Sequence, residues 1–456
     1  MNKEIDKFSA MDLNTLYYTQ KIDYARMSLW APFYAVGMVA RIQGEVPPEL
    51  LNEALKKLRI LYPPLASRVY MRPNGDAFLT TEGVGEFNLE VRSKISDFDW
   101  ERVVLEQEQI PFAIEHGPLA RFFLLLNKYS SDLVVIVPHV ICDGYSMTHV
   151  MYDAVALLND PEKVVKQPDL HPTVTWKAVQ HSFLNNLLLR GLVRIYNQTH
   201  TKHMVLMNQE RYEELYRIFW TRHHNNFLSL SLSPSETNAL INRCKQHHIA
   251  VTSALFAAYF LTLKDLNFIP KGSHYLISIP VNIRKWMHQQ PEKVIGVFAS
   301  SIEIKIPLKT NPSYWELARL THTKIHKIIK KHSRVLRTLV LDDLIPLIAD
   351  NLIDAISTEK INDLPKLLTH FIKLDSDSRC MTISNIGRIH LPSAGSTYPL
   401  DTLLPLTPTG PGYRHSICAL TVNDQMHLAL RVHQMHLDQA TLTQIKARVM
   451  AYLLLE

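Results

Sequence analysis

Residues Pro138 to Ser146 read P-H-V-I-C-D-G-Y-S. This stretch follows directly on an apolar run, Asp132 to Val137, which predicts a buried strand. His139 stands at the end of this strand, and Asp143 and Gly144 follow it within the same short stretch. A general base needs a pKa near neutrality, which histidine already has in water. The pattern therefore makes His139 the candidate base, held on a rigid element.

The residues beside His139 have narrower roles. Asp143 either orients the imidazole or pins the loop by pairing with a cation elsewhere in the chain. Gly144 is expected to permit a backbone turn that a Cβ would resist. Cys142 is interpreted as a small buried residue rather than a nucleophile, because its side chain is expected to point away from that of His139.

A second segment of the same pattern shows how little the spacing proves. His149 and Asp153 repeat the H-x-x-x-D spacing ten residues on, followed by Ala154, inside a predicted helix over Tyr145 to Leu158. Residues at i and i+4 on a helix are ordinary neighbours. A bare H-x-x-x-D is expected roughly once by chance in a chain of this composition. The first segment therefore needs support from other parts of the sequence.

Length and composition describe a folded protein of more than one core. The chain has 456 residues, of which 46% are hydrophobic and 20% charged, so two domains are expected. The net charge of +6 and the absence of a Lys/Arg run argue against a nucleic-acid groove. They favour a weak attraction for anionic partners, such as a phosphorylated cofactor or an acidic carrier protein.

Cysteine usage and the N-terminus indicate the cytoplasm. The cysteines are too far apart for a disulfide framework or a zinc knuckle. The sequence shows neither the apolar stretch of a signal peptide nor a run long enough to span a bilayer. The four cysteines are Cys142, Cys244, Cys380 and Cys418.

Strand and helix patterns alternate in both halves, which predicts an α/β architecture twice over. Residues 1–170 are expected to form a first domain that carries the motif, 171–226 a connecting segment, and 227–456 a second domain. The predicted elements include strands at 33–42, 132–137, 227–232, 275–283, 301–307 and 380–386, and helices at 49–61, 145–158, 235–247, 251–263 and 314–331.

Three further features admit two interpretations each. Residues 183–196 are amphipathic and basic, and either lie on a membrane or cover a lipid-binding mouth, or else pack on the protein itself. The basic face of the helix over 314–331 either contacts phosphate groups of coenzyme A or a carrier, or is simply solvated. Histidine clusters raise a metal hypothesis, but no coherent ligand set emerges and no metal is predicted. The basic face consists of Lys324, Lys327, Lys330 and Lys331. The histidine clusters are His223-His224, His247-His248 with Cys244, and His433 with His436.

Five segments occur in a characteristic order along the chain. They are L-L-N-E-A-L-K-K-L-R-I-L-Y-P-P-L-A-S-R (50–68), P-H-V-I-C-D-G-Y-S (138–146), I-P-V-N-I-R (279–284), I-G-V-F-A-S (295–300) and I-S-N-I-G-R-I (383–389). This order resembles that of the condensation-domain and chloramphenicol-acetyltransferase-like acyltransferase superfamily. The group includes condensation domains of non-ribosomal peptide synthesis, polyketide-associated acyltransferases, wax ester synthases and plant acyltransferases of the H-x-x-x-D type.

The resemblance implies two chloramphenicol-acetyltransferase-like domains, each a mixed sheet flanked by helices, with an active-site tunnel at their interface. His139 would then be the general base at its centre. Asp143 would be structural and paired with Arg284. Gly144 would keep the turn and offer a backbone N–H. Ser384 and Asn385 would contact the acyl carbonyl or the developing oxyanion.

The expected activity is transfer of an acyl group from a CoA or carrier-protein thioester to a small or lipid-like alcohol, with no permanently bound cofactor. Many relatives carry a second histidine where this chain has Pro138. Proline removes an N–H and stiffens the approach to His139, which favours ester over amide formation. No carrier-domain serine motif or adenylation domain is found, so a free-standing enzyme is expected. The alternatives are an amide-forming enzyme with an amine acceptor and a non-catalytic binding module.

Overall fold

The protein is described by a computed structural model. It describes residues 17–166, 174, 191, 195, 207–269, 272–288, 291, 294–308, 311–331, 335, 346–360, 380–390, 396–410, 413–433 and 437–455. We refer to 17–166 as the first half and to 207–455 as the second half. The amphipathic stretch 183–196 lies outside the described residues, apart from 191 and 195.

Helices and strands alternate along both halves. The helices are α1 (Pro48–Leu61), α2 (Asp99–Gln107), α3 (Gly144–Asn159), α4 (Gln209–Arg222), α5 (Pro234–Gln246), α6 (Val251–Asp265), α7 (Tyr314–Ile329), α8 (Pro346–Ser357) and α9 (Gln439–Leu453). The strands are β1 (Thr19–Lys21), β2 (Ala35–Gln43), β3 (Arg68–Met71), β4 (Ala77–Thr80), β5 (Leu89–Ser93), β6 (Arg121–Leu126), β7 (Ser130–Pro138), β8 (Asn225–Leu232), β9 (His274–Asn282), β10 (Ala299–Pro307), β11 (Cys380–Ile389), β12 (Leu400–Leu406), β13 (His415–Val422) and β14 (Gln425–His433).

These strands form two large mixed sheets and one small one. The five-stranded sheet has the order β12-β2-β7-β6-β5, and the six-stranded sheet the order β10-β9-β11-β13-β14-β8. In the first of these β5 runs parallel to β6, and in the second β11 runs parallel to both β9 and β13. A three-stranded sheet, β1-β4-β3, accompanies them. The predicted mixed α/β class is therefore correct.

Each large sheet is covered by helices whose apolar faces are readable in the sequence. Helix α1 begins with Pro48 at its first turn, where the missing N–H costs nothing, and buries Leu51, Ala54, Leu55 and Leu58. Helix α6 is buried nearly all round, as its apolar sequence predicts. Two hydrophobic cores result, one around β2 and β7 and the other around α6 and β9.

Two elements from later in the chain associate with the first half. Strand β12 comes from the second half, yet it pairs antiparallel with β2, placing Leu403 opposite Ala40. Helix α4, inside the stretch predicted as a connection, buries Tyr212 and Phe219 in the core of the first half. The division into 1–170, 171–226 and 227–456 stays a prediction. The pairing of β12 and the packing of α4 both cross its boundaries.

The ends of several elements converge at the motif. Strand β7 ends at Pro138 and α3 begins at Gly144, while β9 ends and β10 begins on either side of residues 283–298. The Asp143 N–H donates to the carbonyl oxygen of Gly296 at 3.0 Å, which joins the two halves directly. In the described part of the chain, no helix combines the length and apolarity that a membrane crossing requires.

Candidate active site

His139 is held at the end of β7 by its backbone and by one ring nitrogen. Its backbone N–H donates to the Tyr34 carbonyl oxygen at 2.8 Å, and its Nδ1 lies 2.8 Å from the carbonyl oxygen of Cys142. A carbonyl oxygen only accepts hydrogen bonds, so Nδ1 carries the proton in this contact. The lone pair of the neutral ring is then on Nε2, which is the atom available to accept a proton.

The surroundings of His139 favour the neutral imidazole. Burial lowers the pKa of the ring below its ordinary value, while the Cys142 carbonyl and the Asp143 carboxylate oppose that shift. The residue as a whole is nevertheless partly exposed. A neutral imidazole has the protonation state that a general base requires.

Asp143 is the N-cap of α3 and its carboxylate is fully engaged away from His139. It accepts hydrogen bonds from the backbone N–H groups of Ser146 at 2.7 Å and Phe298 at 2.9 Å. Two more come from the Arg284 guanidinium, at 3.0 Å each. Burial alone would raise the pKa of this carboxyl, but the arginine and the N–H donors lower it below its usual range. Of its two expected roles, these contacts support pinning the loop.

Arg284 occupies the centre of this cluster. It lies just after β9, is 8% exposed, and reaches Asp143 with both terminal nitrogens. Its guanidinium lies 4.8 Å from the ring centroid of Tyr145 and 4.5 Å from that of Phe298. A buried, bidentate and stacked arginine fixes the spacing between the start of α3 and the segment 284–298.

The reason for glycine at position 144 differs from the one predicted. Gly144 is the first residue of α3 and is not among the residues with positive φ, so the turn itself does not require it. A Cβ added there would lie 3.1 Å from the Cδ1 atom of Ile386. The explanation from backbone freedom was wrong, and the close approach of β11 to the motif takes its place.

Ser384 and Asn385 lie on that same strand, beside a bulge between Asn385 and Gly387. The Asn385 side chain is exposed; its Oδ1 accepts from the Gly387 N–H at 3.0 Å and its Nδ2 approaches the Thr252 Oγ1 at 3.4 Å. Ser384 is partly exposed and stands opposite Cys418 on β13. Among the described contacts neither residue touches His139, and their role toward an acyl carbonyl stays a prediction.

Two other candidates, Cys142 and the pair of His223 and His433, lie in packed surroundings. Cys142 is fully buried, and burial raises the pKa of its thiol well above the usual value, so it is the inert small residue predicted. His223 and His433 stack on one another with ring centroids 4.8 Å apart, beside Phe219. Within the described residues, no three His, Cys, Asp or Glu side chains are placed to hold a metal ion. His436 lies outside them.

Residues 25–342 match the family model of the Condensation domain. The chain belongs to this family. The chain is 23% identical over 256 residues to N-acetyltransferase SLI1 of Saccharomyces cerevisiae, covering 48% of this chain and 53% of that protein. It is 29% identical over 85 residues to the probable alcohol acetyltransferase crmB of Aspergillus fumigatus, covering 18% of each. The chain thus spans about half, or less, of the length of these relatives.

Condensation-domain membership agrees with the architecture. The structure of TRI3 trichothecene 15-O-acetyltransferase from Fusarium sporotrichioides superposes with a TM-score of 0.66 at 12% identity, covering 96% of this chain and 95% of that one. At this identity the likeness concerns the fold alone. It extends over nearly the whole of both chains, which confirms the fold family inferred from the motif order.

Sequence reasoning missed three parts of the site. The carbonyl of Tyr34 holds the His139 backbone, the hydroxyl of Ser146 meets Arg284 at 2.7 Å, and the carbonyl of Gly296 meets Asp143. Ser146 stands inside the quoted motif and Gly296 inside I-G-V-F-A-S. Two of these contacts use backbone atoms, which residue identity does not encode.

Proposed function

We propose that the protein is an acyltransferase that moves an acyl group from a CoA or carrier-protein thioester to an alcohol, forming an ester. The observation that carries this proposal is the state of His139, whose Nδ1 is committed to the Cys142 carbonyl and whose Nε2 keeps the lone pair. Two named acetyltransferases among the relatives support the same reaction class.

The proposed reaction needs one base and no covalent intermediate. Nε2 of His139 takes the proton from the acceptor hydroxyl as its oxygen attacks the thioester carbonyl. The tetrahedral intermediate collapses, the C–S bond breaks, and the leaving sulfur takes the proton back from the imidazolium. The products are an ester and a free thiol. Cys142 does not serve as a nucleophile, because its thiol is buried and its pKa is raised.

The developing negative charge on the acyl oxygen needs donors. We assign Ser384 and Asn385 to this role because β11 passes beside Gly144 and because the Nδ2 contact of Asn385 is long, at 3.4 Å. A donor held by a weak contact can turn toward a substrate at little cost.

The choice of alcohol over amine follows from what a base contributes. A hydroxyl is a poor nucleophile until its proton leaves, whereas a neutral amine attacks a thioester unaided. A neutral histidine held on a strand end is therefore of most use to an alcohol acceptor. The amine acceptor is kept as a second candidate because the yeast relative is named an N-acetyltransferase.

The test is thiol release from acetyl-CoA and long-chain acyl-CoA, with panels of alcohols and amines as acceptors. We expect His139→Ala to lower turnover by about 100-fold or more, since a positioned general base contributes at least this much. His149→Ala is the matched control, because it removes a histidine from the same H-x-x-x-D spacing, and it should stay within about twofold of the unaltered protein.

Three outcomes would contradict the proposal. Undiminished turnover in His139→Ala would remove the base from the mechanism. No thiol release by the unaltered protein with any donor or acceptor would favour the alternative of a non-catalytic binding module. Faster turnover with amines than with alcohols would show that the acceptor is an amine and the product an amide.

A further inference from the structure

One peptide bond connects the candidate base to the second half of the molecule. The carbonyl of the Cys142–Asp143 peptide accepts from Nδ1 of His139 at 2.8 Å, and its N–H donates to the Gly296 carbonyl at 3.0 Å. We propose that Gly296 and Ser146 orient His139 through this peptide, so that the second half positions the base. The inference rests on the proposed role of His139 as that base.

A peptide can transmit such an effect because its two ends are conjugated. A hydrogen bond at the N–H polarises the carbonyl and makes it a better acceptor, as in other hydrogen-bond chains. The Cys142 carbonyl then holds the Nδ1 proton more firmly, which fixes the tautomer and the ring angle. In many enzymes a carboxylate has this task. Here the nearby carboxylate of Asp143 is occupied by Ser146, Phe298 and Arg284.

Ser146 fixes the Gly296 end of this chain. Its hydroxyl donates to the Gly296 carbonyl at 2.9 Å and accepts from the Gly296 N–H at 3.2 Å. It also accepts from the Arg284 guanidinium at 2.7 Å. A longer contact of 3.5 Å leads from the hydroxyl to the Val294 carbonyl. A hydroxyl has one donor and two acceptor sites, so these contacts use its full capacity. The residue is 1% exposed, and each contact crosses from the first half to the second.

Ser146 does not touch the reacting atoms in this arrangement and is a positioning residue. Without its hydroxyl, Gly296 loses two hydrogen bonds and the Asp143 N–H loses a fixed partner. The Cys142 carbonyl then accepts less strongly, which makes His139 a weaker base. The charge that acts on the ring is that of the Asp143 carboxylate, which is paired with Arg284, and the Tyr34 ring faces the imidazole edge-on. Ser146→Ala removes none of these groups.

The experiment compares Ser146→Ala with Thr148→Val. Both delete a buried hydroxyl from the first turns of α3, but the Thr148 hydroxyl donates only within the helix, to the Tyr145 carbonyl at 2.7 Å. Ser146→Ala is expected to lower kcat by about tenfold with little change in KM, and to move the acid limb of the kcat/KM profile to lower pH. Thr148→Val should change neither. Thermal unfolding of both variants provides the folded fraction by which kcat is corrected.

The outcomes separate this inference from the proposed function. If His139→Ala is inactive while Ser146→Ala matches Thr148→Val in kcat and pH profile, the orienting role is overturned and the base assignment stands. A fall in kcat without a shift of the acid limb also overturns it, since loosened packing alone would give that result. If His139→Ala keeps its activity, both the base and its orientation are excluded.

Discussion

The two H-x-x-x-D segments share a spacing and almost nothing else. In the first, His139 ends a strand and Asp143 caps the following helix. In the second, His149 and Asp153 both lie inside α3. Asp143 is 4% exposed and paired with Arg284, whereas Asp153 is partly exposed and accepts from the Tyr62 hydroxyl at 2.6 Å.

The difference lies in what surrounds the four-residue spacing. In neither segment does the aspartate bond to its own histidine: Asp143 is held by Arg284 and backbone N–H groups, and Asp153 by Tyr62. The first histidine has a carbonyl partner that fixes its tautomer, while the second packs edge-on against the Tyr145 ring, with centroids 5.1 Å apart. A strand end followed by a turn produces a candidate base, and a helix interior produces a packed side chain.

The largest expected difference between the segments concerns stability. Asp143→Ala leaves the buried Arg284 without its counter-ion and is expected to destabilise the protein by about 3–5 kcal/mol. Asp153→Ala removes one hydrogen bond to Tyr62 and is expected to cost about 1 kcal/mol. Urea midpoints of the two variants measure this directly. Equal midpoints would show that the Asp143–Arg284 pair contributes no more than an ordinary hydrogen bond.

The second difference concerns pH. Burial lowers the pKa of His139, so its ring stays neutral to a lower pH than a histidine in water. We therefore expect kcat/KM to remain level as pH falls to about 6.5 and to decline only below it. His149→Ala should show the same decline of kcat/KM over the same pH range. A decline that begins at a pH above the pKa of a free histidine would contradict the neutral, buried ring.

Much of the fold follows from local patterns. Strand β7 and helix α3 begin and end within about two residues of their predicted limits, because apolar periodicity and a capping aspartate mark them. Strand β12 was not predicted. Its sequence, L-D-T-L-L-P-L, contains Pro405, which suits an edge strand, and its partner β2 lies more than 350 residues earlier in the chain. No local pattern encodes such a pairing.

The candidate site likewise has a part that the sequence predicts and a part that only the fold determines. His139, Asp143 and Arg284 are distinguished by side-chain chemistry, so the motif and the resemblance together locate them. The Gly296 carbonyl and the Tyr34 carbonyl act through backbone atoms that every residue carries. Their roles depend on where the loop over 294–298 and the start of β2 lie, which only the assembled fold determines.

The smallest expected effect comes from making the first segment resemble the second at its last position. The second segment has Ala154 where the first has Gly144, so Gly144→Ala gives both the pattern H-x-x-x-D-A. The new Cβ would lie 3.1 Å from the Cδ1 atom of Ile386, the flexible end of its side chain, and the backbone there is helical. Alanine also favours a helix more than glycine does, by about 1 kcal/mol.

These two effects oppose each other in Gly144→Ala, so we expect its thermal midpoint to stay within a few degrees, corresponding to less than about 1 kcal/mol. We expect turnover to fall by no more than about threefold, because β11 must yield only slightly beside the motif. Ile386→Val, which removes the atom that the new Cβ meets, should restore that loss when combined with Gly144→Ala. A large loss that this second substitution fails to restore would mean that glycine serves the reaction directly, through its backbone N–H rather than through the space it leaves for β11.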